Sequence, residues 1–272
     1  MPTIKNRQGH ALYVKEQGQG RPVVLIHGWP LQADAWDHLG LCLAEAGLRA
    51  IAYDRRGFGR SDQPADGYDY DRFADDLEDV LAHAGAEDAT LIGFSMGGGE
   101  VARYLSRQGP GRIRNAVLIG SVVPLLVRTA DHPEGVDPAV YEGVLQAIRN
   151  DRAAFFRKFF SSFYGTDQRP GLVSEEVLQW SWNMAMQAGL GPTLACVKAF
   201  SSTDLRPDLK AMTVPLLLIH GKADNTVPID ITSRAVARQL PHARLIEYEG
   251  HAHGLLASNK EQLAKDILAF MG

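Results

Sequence analysis

Short apolar runs bounded by turn residues recur along this chain at residues 23–26, 49–53, 90–92, 113–119, 215–219 and 244–248. Most are nearly continuous in apolar residues rather than alternating with polar ones, the pattern of strands covered on both faces. Stretches of helical period lie between them. Residues 73–81, for example, place Phe73, Leu77, Val80 and Leu81 at i, i+4, i+7 and i+8, with acidic side chains on the other side. Alternating strands and helices predict a mainly parallel sheet with helices on both faces. Residues 2–4 and 11–15 read as an antiparallel edge to that sheet.

The alternation stops between residues 122 and 213. That stretch carries helical patterns, no convincing strand, and a concentration of aromatics: Phe155, Phe156, Phe159, Phe160, Phe163, Tyr164, Trp180 and Trp182. It reads as a helical cap inserted into an α/β core formed by residues 1–121 and 214–272, the whole making one structural domain. Open α/β sheets bind ligands outside the carboxyl ends of their strands, where such an insertion would cover the site. Most of these rings are expected to form the cap's own core, with one or two facing a pocket.

Composition narrows the picture only a little. The chain has 272 residues, 45% of them hydrophobic, enough for one large packed core. Its 28 basic and 32 acidic residues give a net charge of −4 and are mixed along the sequence, so no footprint for nucleic acid or an anionic membrane is visible. Residues 1–7 are polar where a secretory signal needs an apolar stretch, and no run reaches membrane-spanning length. The expected location is cytoplasmic. Cys42 and Cys196 have no metal-type spacing around them and read as buried thiols filling space.

The chemistry starts at Gly93-Phe94-Ser95-Met96-Gly97, between the run ending at Ile92 and a helical pattern over residues 99–105. A serine at a sharp strand-to-helix turn is either an N-cap or a nucleophile held with its hydroxyl exposed, the glycines on either side relieving backbone collisions. The nucleophile reading requires a base, an orienting acid and an oxyanion hole, with acid and base following the serine in that order. Asp224, just beyond the run 215–219, is an acid at a strand's carboxyl end. The preceding run ends in Ile119-Gly120-Ser121-Val122 and offers no carboxylate in its place. The base must come from Gly250-His251-Ala252-His253-Gly254, where position alone favours neither histidine. Oxyanion donors are expected from the backbone N–H of Met96, after the nucleophile, and of Trp29, in the loop His27-Gly28-Trp29-Pro30. His27 and His220 each precede a glycine at a strand end and read as structural hydrogen-bonders.

Taken together, His27-Gly28-Trp29-Pro30, Asp54-Arg55-Arg56-Gly57-Phe58-Gly59-Arg60-Ser61, the segment Gly93 to Val101, His220-Gly221-Lys222-Ala223-Asp224 and Gly250-His251-Ala252-His253-Gly254 resemble the α/β-hydrolase superfamily. More narrowly they resemble its branch of cofactor-free haloperoxidases, perhydrolases and aryl esterases. In that branch the final loop commonly reads Gly-Ala-Pro-His-Gly, which aligns His253 with the base and His251 with the alanine. The 54–61 motif resembles a loop to which no chemistry is assigned; its glycines serve turns and its arginines internal hydrogen bonds.

The resemblance implies acyl transfer through Ser95, His253 and Asp224, with a small ester or carboxylic acid as substrate. It also implies hydrogen peroxide as an alternative to water, no cofactor or metal, and a homo-oligomer as a plausible assembly. Pro30 after Trp29 looks like the perhydrolase version of the loop. Dehalogenases and epoxide hydrolases of this fold carry aspartate where Ser95 stands, which argues against both. Carbon–carbon bond hydrolases keep the serine and stand as the alternative, and a ligand-binding receptor on a retained hydrolase fold is a further one.

Overall fold

The structure is a computed structural model describing residues 3–272. Eight strands form one sheet: β1 (Thr3–Lys5), β2 (Ala11–Gln17), β3 (Arg21–Ile26), β4 (Leu48–Tyr53), β5 (Ala89–Phe94), β6 (Ile113–Ile119), β7 (Leu216–Gly221) and β8 (Ala243–Tyr248). Their spatial order is β1-β2-β4-β3-β5-β6-β7-β8. β1 and β2 pair antiparallel and β2 joins β4 antiparallel, whereas β4 through β8 run parallel. The expected edge is therefore present from Thr3 on; Pro2 lies outside the described residues. Strand β5, at the centre, is buried at every position, so both faces of the sheet are covered there.

Helices α1 (Asp37–Glu45), α2 (Tyr70–His83) and α3 (Met96–Gln108) connect the first strands. In α2 the apolar stripe predicted by sequence is buried, together with Tyr70 and Ala74. Its start is fixed by Asp69, whose carboxylate accepts from the Arg72 backbone N–H at 2.9 Å. The 54–61 motif behaves as the arginines suggested. Arg55 pairs with Glu100 at 2.8 Å, Arg56 with Asp76 at 2.6 Å, and Arg60 with Asp54 at 2.8 Å. Burial raises the Glu100 carboxyl well above the usual range and pulls Arg55 down to about 10. The fixed, fully formed pair nevertheless ties the loop after β4 to α3, the helix that follows Ser95.

Between β6 and β7 run α4 (Pro138–Tyr164), α5 (Glu175–Gln187) and α6 (Leu190–Ser202), with only isolated bridges near residues 127–136 and no strand among the described residues of this segment. Helix α4 is broken at Asp151, which leaves helical geometry and caps the second half by accepting from Ala154 N–H at 2.9 Å. α7 (Ser233–Gln239), α8 (Leu255–Ser258) and α9 (Lys260–Met271) complete the chain, α9 packing against α1. Among the described residues no helix is long and apolar enough to cross a membrane.

Two sequence readings need correction. Cys196 is buried as expected, but Cys42 is only half-buried, packed against the core beside His38 of α1. The strand expected over 215–219 continues through His220 and Gly221, because the His220 ring is fully buried and finds polar partners inside the protein.

Candidate active site

Ser95 sits between β5 and α3 with φ 55° and ψ −119°, a left-handed conformation rare for a residue with a side chain. Such a geometry costs on the order of 1–3 kcal/mol and persists only where the surroundings enforce it. Here they do. The Ser95 N–H donates to Ile119 O on the neighbouring strand at 2.8 Å. A Cβ on Gly93 would lie 2.5 Å from Gly97 O, and one on Gly97 would lie 2.3 Å from Ile26 O. The glycines are therefore required by close backbone approach, and the turn aims the Ser95 side chain away from the sheet.

Asp224 and His253 reach the same point from the loops after β7 and β8. His253 Nδ1 donates to Asp224 Oδ2 at 2.6 Å, leaving Nε2 to accept the Ser95 hydroxyl at 2.9 Å. Asp224 Oδ1 accepts from the backbone N–H groups of Thr226 at 2.9 Å and Val227 at 2.8 Å. Burial alone would raise the Asp224 carboxyl. The charge of His253 and hydrogen bonds from His220 and His253 outweigh it and hold the group well below the usual carboxylate range.

The imidazole of His253 is walled by Phe94, 5.0 Å between ring centroids, and by Phe163 of α4, edge-on at 4.9 Å. Gly254 N–H also donates to Phe163 O at 2.8 Å. Phe163 is thus part of the site, although no local signal in the sequence connects it with a loop some ninety residues later. His251 is turned elsewhere: its ring lies against Tyr248 and its Nδ1 has no hydrogen-bond partner. Burial, with the charge of Arg169, lowers its pKa.

The loop after β3 passes directly beside the serine. A Cβ on Gly28 would lie 2.9 Å from Ser95 Cβ, so only glycine lets this backbone approach. His27 braces the loop: Nδ1 donates to Gly28 O at 2.9 Å and Nε2 accepts from Arg55 N–H at 2.9 Å. Burial and the Arg55 charge hold His27 well below the ordinary histidine range, so it is neutral. The Trp29 indole donates to Thr193 O at 3.1 Å, which holds the Trp29 side chain, and the Tyr70 phenol donates to Met96 O at 3.2 Å in the first turn after Ser95. Among the described residues neither the Trp29 nor the Met96 backbone N–H has an acceptor.

A cavity of about 230 Å³ opens at Ser95, lined by Trp29, Val122, Tyr141, Phe155, Phe159 and Val227 among others. Its lining is mostly apolar and includes no charged side chain. Of the aromatics between β6 and β7, Tyr141, Phe155, Phe159 and Phe200 face it, while Phe156, Phe160 and Phe163 are fully buried and Trp180 lies exposed on the surface.

A twisted, mainly parallel sheet with a strained serine between its central strand and the following helix defines an α/β hydrolase. The signature of the alpha/beta hydrolase fold matches residues 21–259. The chain belongs to this family, in the branch of the non-heme haloperoxidases. It is 41% identical to the non-heme chloroperoxidase CPO-A1 of Kitasatospora aureofaciens, covering 100% of this chain and 99% of that protein. It is 36% identical to the bifunctional esterase/perhydrolase DCH of Acinetobacter calcoaceticus, again over 100% and 99% of the two chains. The solved bromoperoxidase from Bacillus anthracis superimposes with a TM-score of 0.96 at 42% identity, covering 99% of each chain.

Proposed function

We propose that this chain is a serine hydrolase of small carboxylic esters that also makes peracids from hydrogen peroxide. The observation that carries the reading is the continuous hydrogen-bonded chain from Ser95 through His253 to Asp224, opening onto an uncharged cavity. Ser95 Oγ attacks the ester carbonyl while His253 Nε2 takes its proton. Asp224 fixes the Nδ1–H tautomer and stabilises the imidazolium that forms. The Trp29 and Met96 N–H groups receive the oxyanion; one such donor lowers the barrier by about 2.7–4 kcal/mol. Collapse expels the alcohol, which takes the proton from His253, and leaves an acyl-enzyme.

Water, deprotonated by His253, releases the carboxylic acid and restores Ser95. Hydrogen peroxide in the same position releases a peracid. Free peracid then transfers an oxygen to halide, giving hypohalite and the carboxylic acid away from the protein, so the halide needs no site. Support for peroxide use comes from the esterase/perhydrolase and chloroperoxidase relatives and from Pro30 following Trp29. The helical segment 122–213 serves as the cap, its Phe155 and Phe159 setting the apolar wall against the acyl or aryl group.

The test is a panel of short aryl esters assayed with and without peroxide, and acetate plus peroxide assayed for peracid. The reading expects ester turnover and peracid formation, both lost in Ser95→Ala. Peracid formation that survives in Ser95→Ala would contradict a shared acyl-enzyme.

A further inference from the structure

The mechanism above leaves unused a second imidazole on the same carboxylate. His220 ends β7 and is fully buried. Its Nε2 lies 2.9 Å from Val227 O and 3.2 Å from Asp224 Oδ2. Both neighbours only accept, so Nε2 carries the proton. Nδ1 is then bare and accepts the Ser233 hydroxyl of α7 at 2.7 Å. The tautomer of His220 is therefore fixed by three groups on the loop and helix that follow β7.

The two oxygens of Asp224 are not equivalent. Oδ1 is satisfied by two backbone N–H groups. Oδ2 faces both histidines, His253 closely and His220 at longer range through an N–H shared with Val227 O. Resting on the triad reading given above, we propose that His220 is a positioning residue for this reaction. Its Nε2–H holds the 224–227 turn and the carboxylate as one unit and draws charge from Oδ2, which sets how strongly that oxygen supports the His253 imidazolium.

Other ionisable groups around His220 are arranged so that this effect can be read. Glu247 on β8 is its register partner across the sheet, and Arg234 of α7 pairs with Glu247 at 2.6 Å and with Asp230 at 2.8 Å. Lys222, on the same loop as Asp224, pairs with Glu249 at 2.7 Å. From the loop after β8, His253 faces Asp224, and His251 contributes its carbonyl to Ala223 N–H at 3.0 Å while its ring lies against Tyr248.

A donor on Oδ2 competes with His253 for the charge of that oxygen. Without it, Oδ2 supports the imidazolium more strongly. Two amide variants separate this from a packing role. His220→Asn stops short of Asp224, whereas His220→Gln places an N–H near the position of Nε2. In full-length protein we expect the acid limb of the kcat/KM profile to move up by roughly half a pH unit or more in His220→Asn, the scale of a partial hydrogen bond to a charged group. KM should stay within about twofold, as expected when binding contacts are untouched. His220→Gln should bring the limb back.

A limb that stays, or moves down, in His220→Asn overturns the proposal, as does failure of His220→Gln to restore it. If neither variant folds, nitrogen-15 spectra of the histidines in the native protein decide: a neutral ring protonated at Nε2 supports the proposal and one protonated at Nδ1 overturns it. Ser95→Ala is measured alongside. Turnover persisting there defeats the triad reading itself, whereas its loss together with an unmoved limb in His220→Asn defeats only the role of His220.

Discussion

The rings of Phe163 and His253 stand edge to face, 4.9 Å between centroids, so a residue of the helical segment forms one wall of the slot that holds the imidazole. Phe163 is 1% exposed, and its truncation opens a cavity behind a ring that must stay aligned within a few tenths of an ångström. Phe163→Ala is expected to lose about 3–5 kcal/mol of stability, the usual cost of deleting a buried phenyl ring. It should also lower kcat more than Phe163→Leu does. Chemical denaturation and ester kinetics on the two variants check this; equal kcat values would detach the ring from the imidazole's alignment.

Asp224 offers a tautomer test. In Asp224→Asn the amide presents N–H toward His253 where a carboxylate accepted, so the ring reverses its tautomer and Nε2 no longer accepts from Ser95. A loss of about 10⁴ in kcat with modest change in KM is expected, the scale seen when a triad aspartate becomes asparagine. Retention of kcat within tenfold would assign the orienting role to another group.

The same carboxylate predicts how stability depends on pH. Its folded pKa is depressed by His253 and His220 in spite of burial. The resulting stabilisation is present above the unfolded value of about 3.9 and is lost as pH falls toward the folded value, because the unfolded chain then binds the extra proton. Between about pH 5 and pH 2 the thermal midpoint should fall more steeply in the native protein than in Asp224→Asn. Parallel curves would show that Asp224 carries no such linkage.

The two histidines of the last loop make opposite predictions. His253→Ala should lose orders of magnitude in kcat, since among the described residues His253 is the imidazole that hydrogen-bonds Ser95. His251→Ala should keep most activity, because that ring lies against Tyr248 with Nδ1 unpartnered. Steady-state kinetics on both variants tests the pair, and the reverse ranking would move the base to His251.

What the sequence displayed follows from the range of the forces involved. The serine turn was legible because its glycines flank Ser95 in sequence, even though the close approaches that require them are to Gly97 O for Gly93 and to Ile26 O of β3 for Gly97. The loops that carry Asp224 and the two histidines were legible from strand ends and chain order, which place them at one edge of a parallel sheet. The choice between His251 and His253 was not, since side-chain direction within one loop depends on packing; the structure seats His253 between Phe94 and Phe163. The arginines of the 54–61 motif announced internal pairs but not their partners, because Glu100 and Asp76 come from helices elsewhere in the chain. Phe155 and Phe159 differ from Phe156 and Phe160 only in which way a helix faces, and adjacent pairs of phenylalanines repeated four residues apart conceal that phase. Strand β7 outran its apolar run because the polar partners that bury His220 arrive from Val227 and Ser233.

Ser95 Oγ is the atom that carries the acyl group in the proposed reaction. The most direct measurement is intact-mass analysis after exposure to a fluorophosphonate, on the native protein and on Ser95→Ala, with ester turnover followed in parallel. Ser95 contributes a small side chain at the mouth of a cavity, so its replacement should leave the thermal midpoint nearly unchanged. The native protein should gain one phosphonyl group and stop turning over ester, and Ser95→Ala should gain none and show no turnover. A folded Ser95→Ala protein that is labelled to the same extent, or that still hydrolyses the ester, would contradict the account.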